Sequence, residues 1–293
     1  MDDKERRWTE MYWDVFSEIR WSPGLIGMES FKGWECTVGK DGELPTKTDK
    51  KPKRSVYRQT ILRDGEKDDR KVTEHVMRQE RGFNGLLDLV VGLTPGVVLS
   101  DLFDPFVGLN DRHDYRAFGR DLHTRFDNGS SEIGTQQDGF LTASNSILAI
   151  EIKFGASTSL GQLAKYCLLM LLEEERTGQR DSLSLLYIVP KERINRISEK
   201  IGCSLQTIDG GVADEVIETQ KGRNFRLLSE RREALVELLD RLRVRVISWG
   251  DLANALRAKV NQLGDSDGDR TLANLLVGFA DEIEANPETG TTQ

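Results

Sequence analysis

The chain has 293 residues, of which 38% are hydrophobic and 31% charged, an ordinary balance for a globular protein in water. It has no run of about 18 apolar residues, so it predicts no membrane span. Its first residues, MDDKERRW, lack the basic-then-apolar layout of a secretory signal. The three cysteines, Cys36, Cys167 and Cys203, are far apart, which favours reduced thiols in a cytoplasmic protein over a disulfide framework or a zinc site.

The formal net charge of -8 is unevenly distributed along the chain. Residues 265–293 contain seven acidic residues and one arginine, so this tail carries -6 and the rest of the chain only -2. A nearly neutral body is compatible with a local basic groove. Net charge therefore does not exclude nucleic acid as a partner.

The first 71 residues predict an N-terminal extension made of one helix and polar loops. Apolar and aromatic side chains recur at helical spacing over residues 5–20, which favours an amphipathic helix that docks on the body of the domain or offers a stacking or partner surface. Residues 33–71 are polar and include a cluster of lysines and arginines. We interpret that cluster as solvated loops or as a strip that contacts phosphates.

Between residues 72 and 143 the predicted structure changes from helix to irregular loop to strand. Residues 72–93 have a helical apolar period and form one helix or two. Residues 94–137 are predicted to be irregular, with one short strand near 122–126 and a solvated loop at 111–114. The first strand of a hairpin is expected at 139–143.

Strands and helices alternate over the rest of the body, which predicts an α/β fold with a mixed central sheet flanked by helices. Further strands are expected at 147–154, 183–189 and 244–248, and further helices at 160–176, 191–201, 229–243 and 250–263. An acidic linker then leads to a last amphipathic helix, which packs on its own chain or serves a protein partner or a second copy. The predicted organisation is an extension at 1–71, a core domain at 72–263 and an acidic tail at 264–293.

Glu151 and Lys153 interrupt the otherwise apolar strand predicted at 147–154. Such a strand is typical of the centre of a sheet, covered on both faces. Because the two residues are two positions apart, their side chains leave the strand on the same face. Burying a carboxylate and an ammonium is costly unless something compensates, so we expect a metal or a charged substrate here.

Asp138, at the start of the preceding strand, joins that face only if the connecting turn has an even number of residues. A turn at 144–145 would pair Asp138 with Glu151, and one at 145–146 would pair it with Lys153. Two carboxylates about 5 Å apart across the ladder suit a hard divalent cation such as Mg²⁺, which readily takes phosphate oxygens. Lys153 would then orient an attacking water and offset the charge that grows on the phosphorane.

These residues resemble the motif of the PD-(D/E)xK nuclease superfamily, with Asp138 followed by Glu151-Ile152-Lys153. Gln162 and Tyr166, within Gln-Leu-Ala-Lys-Tyr, resemble the Gln-x-x-x-Tyr motif of its RecB-like and lambda-exonuclease-like branch. The resemblance covers about residues 74–190 and implies a restriction-endonuclease-like fold. It further implies that Asp138 and Glu151 ligate the metal, that Lys153 assists catalysis, and that Gln162 and Tyr166 position the lysine and the substrate backbone.

The superfamily often adds a glutamate from the helix before the sheet, and both Glu74 and Glu80 precede it here. At about 100° per residue, Glu80 falls at the edge of the apolar stripe of its predicted helix and Glu74 faces away, so we favour Glu80 as a further metal ligand.

The function predicted from the sequence is a Mg²⁺- or Mn²⁺-dependent nuclease. DNA is favoured over RNA by the resemblance alone, and endo- and exonuclease action both stay open. The alternative is a catalytically silent, nuclease-like module for nucleic-acid binding or assembly.

Overall fold

A computed structural model describes residues 80–118, 137–154, 158–201, 208 and 210–291, with side chains described from Phe83 onward. The predicted helix at 5–20, the basic loops of 33–71 and the strand at 122–126 lie outside these residues. Contacts group the chain into two units, Met1–Gly85 and Leu86–Gln293, and the packing described below concerns the second unit. The predicted boundaries at 71/72 and 263/264 remain predictions.

Five strands form one mixed sheet in the order β1-β2-β3-β4-β5. Neighbouring strands are antiparallel from β1 to β3 and parallel from β3 to β5. The mixed sheet predicted from the sequence is therefore confirmed. The strands are β1 (Arg116–Phe118), β2 (Gly139–Thr142), β3 (Ser146–Ile152), β4 (Ser182–Val189) and β5 (Leu242–Ser248).

Helices precede, connect and follow these strands. They are α1 (Glu80–Leu93), α2 (Gly96–Val107), α3 (Leu160–Thr177), α4 (Ile194–Ile201), α5 (Ala213–Glu218), α6 (Gly222–Ser229), α7 (Arg232–Arg241), α8 (Trp249–Val260) and α9 (Asp267–Ala285). Short 3₁₀ turns occur at Lys191–Arg193, Gly210–Val212 and Pro287–Thr289. None of the described helices is both long and apolar enough to cross a membrane.

The central strand β3 is buried at every position because helices cover both faces of the sheet. One face packs against α3 to α7, in a core that includes Ile147 and Ala149 of β3 together with Leu163 and Cys167 of α3. The other face, which includes Ile150, packs against α2 and α8. This double cover explains the nearly continuous apolar sequence of β3.

The region 94–137 contains more regular structure than the sequence predicted. It was expected to be irregular, yet α2 and β1 lie within it. Buried Leu99 and Phe103 are four residues apart, so α2 has an apolar face despite its aspartates. Pro105 lies in the last turn, where it lacks the N–H that would bond the Asp101 carbonyl, and the helix ends two residues later. Gly108 ends the helix with φ of 71°, a left-handed conformation that favours glycine.

The C-terminal helices pack on the same chain. Ser248 and Asp251 cap the start of α8 by exchanging hydrogen bonds of 3.0 Å and 2.9 Å in a capping box. Helix α9 packs against α8 and buries Leu276, Phe279 and Ile283. Of the two interpretations of the last amphipathic helix, packing on its own chain is therefore confirmed.

Candidate functional site

The turn between β2 and β3 decides whether the predicted carboxylates share a face. In the observed register Gly139 lies opposite Ile150 and Thr142 opposite Ile147. The Ala143 N–H donates to the carbonyl of Ser146 at 2.8 Å, which closes a two-residue turn at 144–145. Of the two even turns considered, the first is formed, and continuing its register by one residue places Asp138 opposite Glu151.

Glu151 and Lys153 form a buried ion pair at the carboxyl end of β3. The Lys153 Nζ lies 2.6 Å from the Glu151 Oε1, and each side chain is only 5% exposed. Taking two charges out of water costs several kcal/mol per ion, and their mutual attraction repays this only when further hydrogen bonds satisfy both groups. Those further bonds come from α3.

Gln162 and Tyr166 approach Glu151 from the first two turns of α3. The Gln162 Nε2 donates to the Glu151 Oε1 at 2.5 Å, and the Tyr166 hydroxyl donates to the Glu151 Oε2 at 2.5 Å. Residues four apart lie on one face of a helix, which explains how both reach the same carboxylate. The side chains of the two motifs, Gln162 and Tyr166 from one and Lys153 from the other, thus all contact Glu151.

Asp138 joins this group through Tyr166 and the backbone of β3. Its Oδ2 accepts a hydrogen bond of 2.9 Å from the backbone N–H of Ile152. Its own backbone N–H donates to the Tyr166 hydroxyl oxygen at 3.2 Å. The Tyr166 hydroxyl therefore lies between the Asp138 backbone and the Glu151 carboxylate.

The protonation of Tyr166 follows from its surroundings. Complete burial raises the pKa of this phenol well above its ordinary value, and the negative charges of Glu151 and Asp138 raise the pKa further. The hydroxyl consequently stays protonated near neutral pH. The hydroxyl has a single proton and two acceptors within reach, the Glu151 carboxylate and the Ile150 carbonyl oxygen, which lies 2.9 Å away. It donates to Glu151, because a carboxylate is the stronger acceptor.

Asp138 and Glu151 are the two carboxylates of the site that could ligate a hard cation. A carboxylate offers about four acceptor positions, and Glu151 uses three of them for Lys153, Gln162 and Tyr166. Magnesium is commonly bound through one or two protein carboxylates and several waters. Asp138 and Glu151 would supply the carboxylates. Within the described part of the chain, no group of three or more His, Cys, Asp or Glu side chains is placed to hold a metal ion. Glu80 begins α1, and its side chain lies outside the described residues.

Two further residues that the sequence analysis did not identify support the site. The Thr158 hydroxyl, which is buried, donates to the Gln162 Oε1 at 3.1 Å and so turns the Gln162 amide nitrogen toward Glu151. The Trp249 indole donates to the Lys153 carbonyl at 3.2 Å, and its ring lies 5.4 Å from that of Phe154. Trp249 directly follows β5, and the ends of parallel strands meet at one edge of the sheet, which explains its proximity.

A second buried polar cluster lies away from this site. Asp104 of α2 accepts hydrogen bonds from Ser100 and from the Tyr115 hydroxyl, the latter at 2.7 Å, and its Oδ2 lies 2.7 Å from the His113 Nδ1. The Tyr115 hydroxyl also lies 3.0 Å from the Ser146 Oγ, at the start of β3. The solvated loop predicted at 111–114 is therefore wrong at His113, which is buried, although its three neighbours in that loop are exposed.

Comparison with family models, with curated proteins and with solved structures finds no match to this chain.

Proposed function

We propose that this protein is a metal-dependent nuclease that hydrolyses phosphodiester bonds, with DNA as the favoured substrate and Mg²⁺ or Mn²⁺ as the cofactor. The observation that carries the proposal is the convergence of Lys153, Gln162 and Tyr166 on the single buried carboxylate of Glu151. A buried ion pair is a poor source of stability compared with apolar residues of similar volume, so its presence in a central strand favours a functional role.

The surrounding architecture supports a restriction-endonuclease-like fold as part of the proposal. An antiparallel hairpin carries Asp138 and Glu151, a helix with Gln162 and Tyr166 follows, and a parallel strand comes next. The site lies at the carboxyl end of β3, the edge at which open α/β sheets bind their ligands.

Each residue has a distinct role in the proposed reaction. A divalent cation bound by Asp138 and Glu151 would polarise the phosphodiester and lower the pKa of a bound water. Lys153 offsets the negative charge that grows on the phosphorane. This electrostatic stabilisation is strongest in a site that excludes water. Gln162 and Tyr166 hold the Glu151 carboxylate in one orientation, so that it need not reorganise during the reaction.

A catalytically silent nucleic-acid-binding or assembly module is the second candidate function. Glu151 already accepts hydrogen bonds from three side chains, so this buried carboxylate is satisfied by the protein alone. Such a network can persist for packing and positioning without any reaction.

One experiment separates the two functions. The purified protein is incubated with linear duplex, circular duplex and single-stranded DNA and with RNA, in Mg²⁺, in Mn²⁺ and in chelator. Cleavage that requires the metal and is lost in Glu151→Gln supports the nuclease. Binding of nucleic acid without cleavage by the natural chain in either metal would favour the silent module.

A further inference from the structure

The segment from Lys221 to Arg226 starts α6 close to the candidate site. The side chain of Gln220 donates from its Nε2 to the carbonyl of Gly161 at 2.9 Å. Gly161 directly precedes Gln162, which contacts Glu151. The hydrogen bond therefore ties the start of this segment to the helix turn that supports the site.

This segment carries an exposed aromatic ring. Phe225 is 43% exposed, and among the described residues the only other exposed large hydrophobic side chain is Leu93. Gly222, with φ of 59° and no atom within 4 Å of where a Cβ would lie, turns the chain into α6. Lys221 precedes α6 as its N-cap, and Phe225 follows within the first turns of the helix.

The same segment is basic. Residues 219–229 contain Lys221, Arg223 and Arg226 and no acidic residue. Within the described ranges, Arg226 forms one ion pair, with the exposed Glu230 at 4.0 Å, and exposed pairs at this distance contribute little to stability. Lys165 adds a fourth cation, because it lies four residues after Gly161 on the face of α3 that Gln220 contacts.

We propose that the segment 221–226 binds a single-stranded part of the nucleic-acid substrate, with Phe225 stacked on a base and the neighbouring cations on phosphates. This inference rests on the proposed function and extends it to the form of the substrate. Proteins that bind single strands combine a positively charged track with aromatic rings that stack on bases. In a duplex the base faces are covered by their neighbours, so an exposed ring favours a strand whose bases are unstacked.

An acidic peptide is the other partner that a basic segment would attract. A peptide carboxylate pairs with the cations but gains nothing from a flat apolar ring. A nucleotide uses both, because its phosphate pairs with the cations and its base stacks on the ring. The combination of Phe225 with Lys221 and Arg226 therefore favours nucleic acid.

The test is a binding experiment in chelator, where no cleavage occurs. A fluorescein-labelled oligothymidylate of about 12 nucleotides is titrated with the natural chain and with variants, and its anisotropy is measured. Phe225→Ala should weaken binding at least about 5-fold, the lower range for losing one base–aromatic stack, while Phe225→Tyr should retain it. Lys221→Ala combined with Arg226→Ala should weaken binding and make the slope of log K against log salt shallower by about 0.7 for each lost cation.

Matched controls come from exposed residues elsewhere. Leu93→Ala removes the other exposed large hydrophobic side chain of the described residues, and Arg112→Ala removes an exposed arginine that pairs with Asp101 of α2. Both controls should leave binding unchanged. Thermal melting of each variant checks that the fold is intact. If Phe225→Ala melts early, the variant Lys221→Ala with Arg226→Ala still tests the inference through its affinity and salt slope.

The outcomes separate this inference from the proposed function. Equal affinity of the natural chain and Phe225→Ala for oligothymidylate overturns the inference, even if the natural chain cleaves DNA in Mg²⁺. Phe225-dependent binding without cleavage supports the inference and contradicts the nuclease. Displacement of the oligothymidylate by polyglutamate as efficiently as by unlabelled oligothymidylate would identify the segment as a site for acidic peptides and would also overturn the inference.

Discussion

Gln162 and Tyr166, one helical turn apart on α3, each donate a hydrogen bond of 2.5 Å to a different oxygen of Glu151. The carboxylate is thereby held in one plane, with Lys153 at 2.6 Å from the oxygen that Gln162 also contacts. Any variant that removes one of these groups changes both the chemistry of the site and the stability of a buried network. Measuring cleavage and unfolding of the same variant separates these two effects.

Lys153→Ala should abolish metal-dependent cleavage, lowering the rate at least about 100-fold, because the ammonium acts mainly on the charge of the transition state. It should also lower the free energy of unfolding by about 3–5 kcal/mol, because Glu151 is left buried without its partner. Initial rates and urea unfolding measure the two effects. The double variant Glu151→Gln with Lys153→Met should recover much of the stability and none of the activity. Recovery of activity in that double variant would show that neither residue takes part in the reaction.

Asp138→Asn and Glu151→Gln should each weaken binding of Mn²⁺ by about 10-fold or more, because a neutral amide is a poor ligand for a hard cation. Asp138→Asn keeps an oxygen that accepts from the Ile152 N–H, so the fold should be preserved. Calorimetric titration with Mn²⁺ gives the affinities. Asp101→Asn, a carboxylate outside the site that pairs with Lys259, is the charge-matched control. Unaltered Mn²⁺ affinity in both site variants would reject the ligand assignment.

Tyr166→Phe should change the pH dependence of stability. Because burial and the nearby charges of Glu151 and Asp138 raise the pKa of Tyr166, the unfolded chain loses this proton first. The free energy of unfolding should therefore fall as the pH rises above about 10, the ordinary tyrosine value, by about 1.4 kcal/mol per pH unit for this group. Urea unfolding between pH 8 and about 11 should show a shallower fall in Tyr166→Phe. Tyr115, whose pKa is also raised by burial, leaves a remaining slope that Tyr115→Phe should reduce. Identical slopes in the natural chain and Tyr166→Phe would contradict this account.

Thr158→Val should lower the rate of cleavage several-fold, to at most about 10-fold, because the Gln162 amide loses the hydrogen bond that orients it. Thr158→Ser keeps the hydroxyl and should behave as the natural chain. The expected effect is on kcat with little change in KM, since Thr158 acts through Gln162 on Glu151. A change confined to KM would assign Thr158 to substrate contact.

Asp104→Ala should destabilise the fold without directly affecting the candidate site. It leaves His113, Tyr115 and Ser100 without their shared acceptor in a buried position, at a cost of about 3 kcal/mol. Asp101→Ala, on the same helix but in a more exposed network, should cost about 1 kcal/mol or less. Urea unfolding compares the two variants. Equal losses of stability would show that the buried cluster contributes no more than a surface pair.

The hairpin could be predicted from the sequence because its chemistry and its geometry agree. The two charged residues of β3 required one face, and an even turn was the only simple way to bring Asp138 to it. The choice between the two even turns depended on tertiary contacts: the N–H groups of Asp181 and Ser182 both donate to the Asn145 carbonyl, and Arg180 donates to the Ser144 carbonyl at 2.6 Å. Those partners lie in the loop before β4 and at the first residue of β4, about 36 residues away.

Other features were missed for identifiable reasons. Aspartates and Pro105 concealed the apolar face of α2, whose Leu99 and Phe103 spacing did carry a helical signal. The charged neighbours of His113 predict a solvated loop, and its partner Asp104 is recognised only once α2 is known to be a helix. Trp249 belongs to the site through folding that brings together residues 96 apart in sequence, which no local pattern shows. Thr158 lies only four residues before Gln162, but no sequence motif marks it as the partner of that amide.

The hairpin turn at 144–145 also constrains how this gene can change. A single-codon insertion or deletion there would swap the two faces of one strand relative to the other and carry Asp138 away from Glu151. A two-codon insertion would keep their alignment and lengthen only the turn, where Ser144 is exposed and Asn145 half-buried. Natural or engineered length variants at this turn should therefore retain function in steps of two residues.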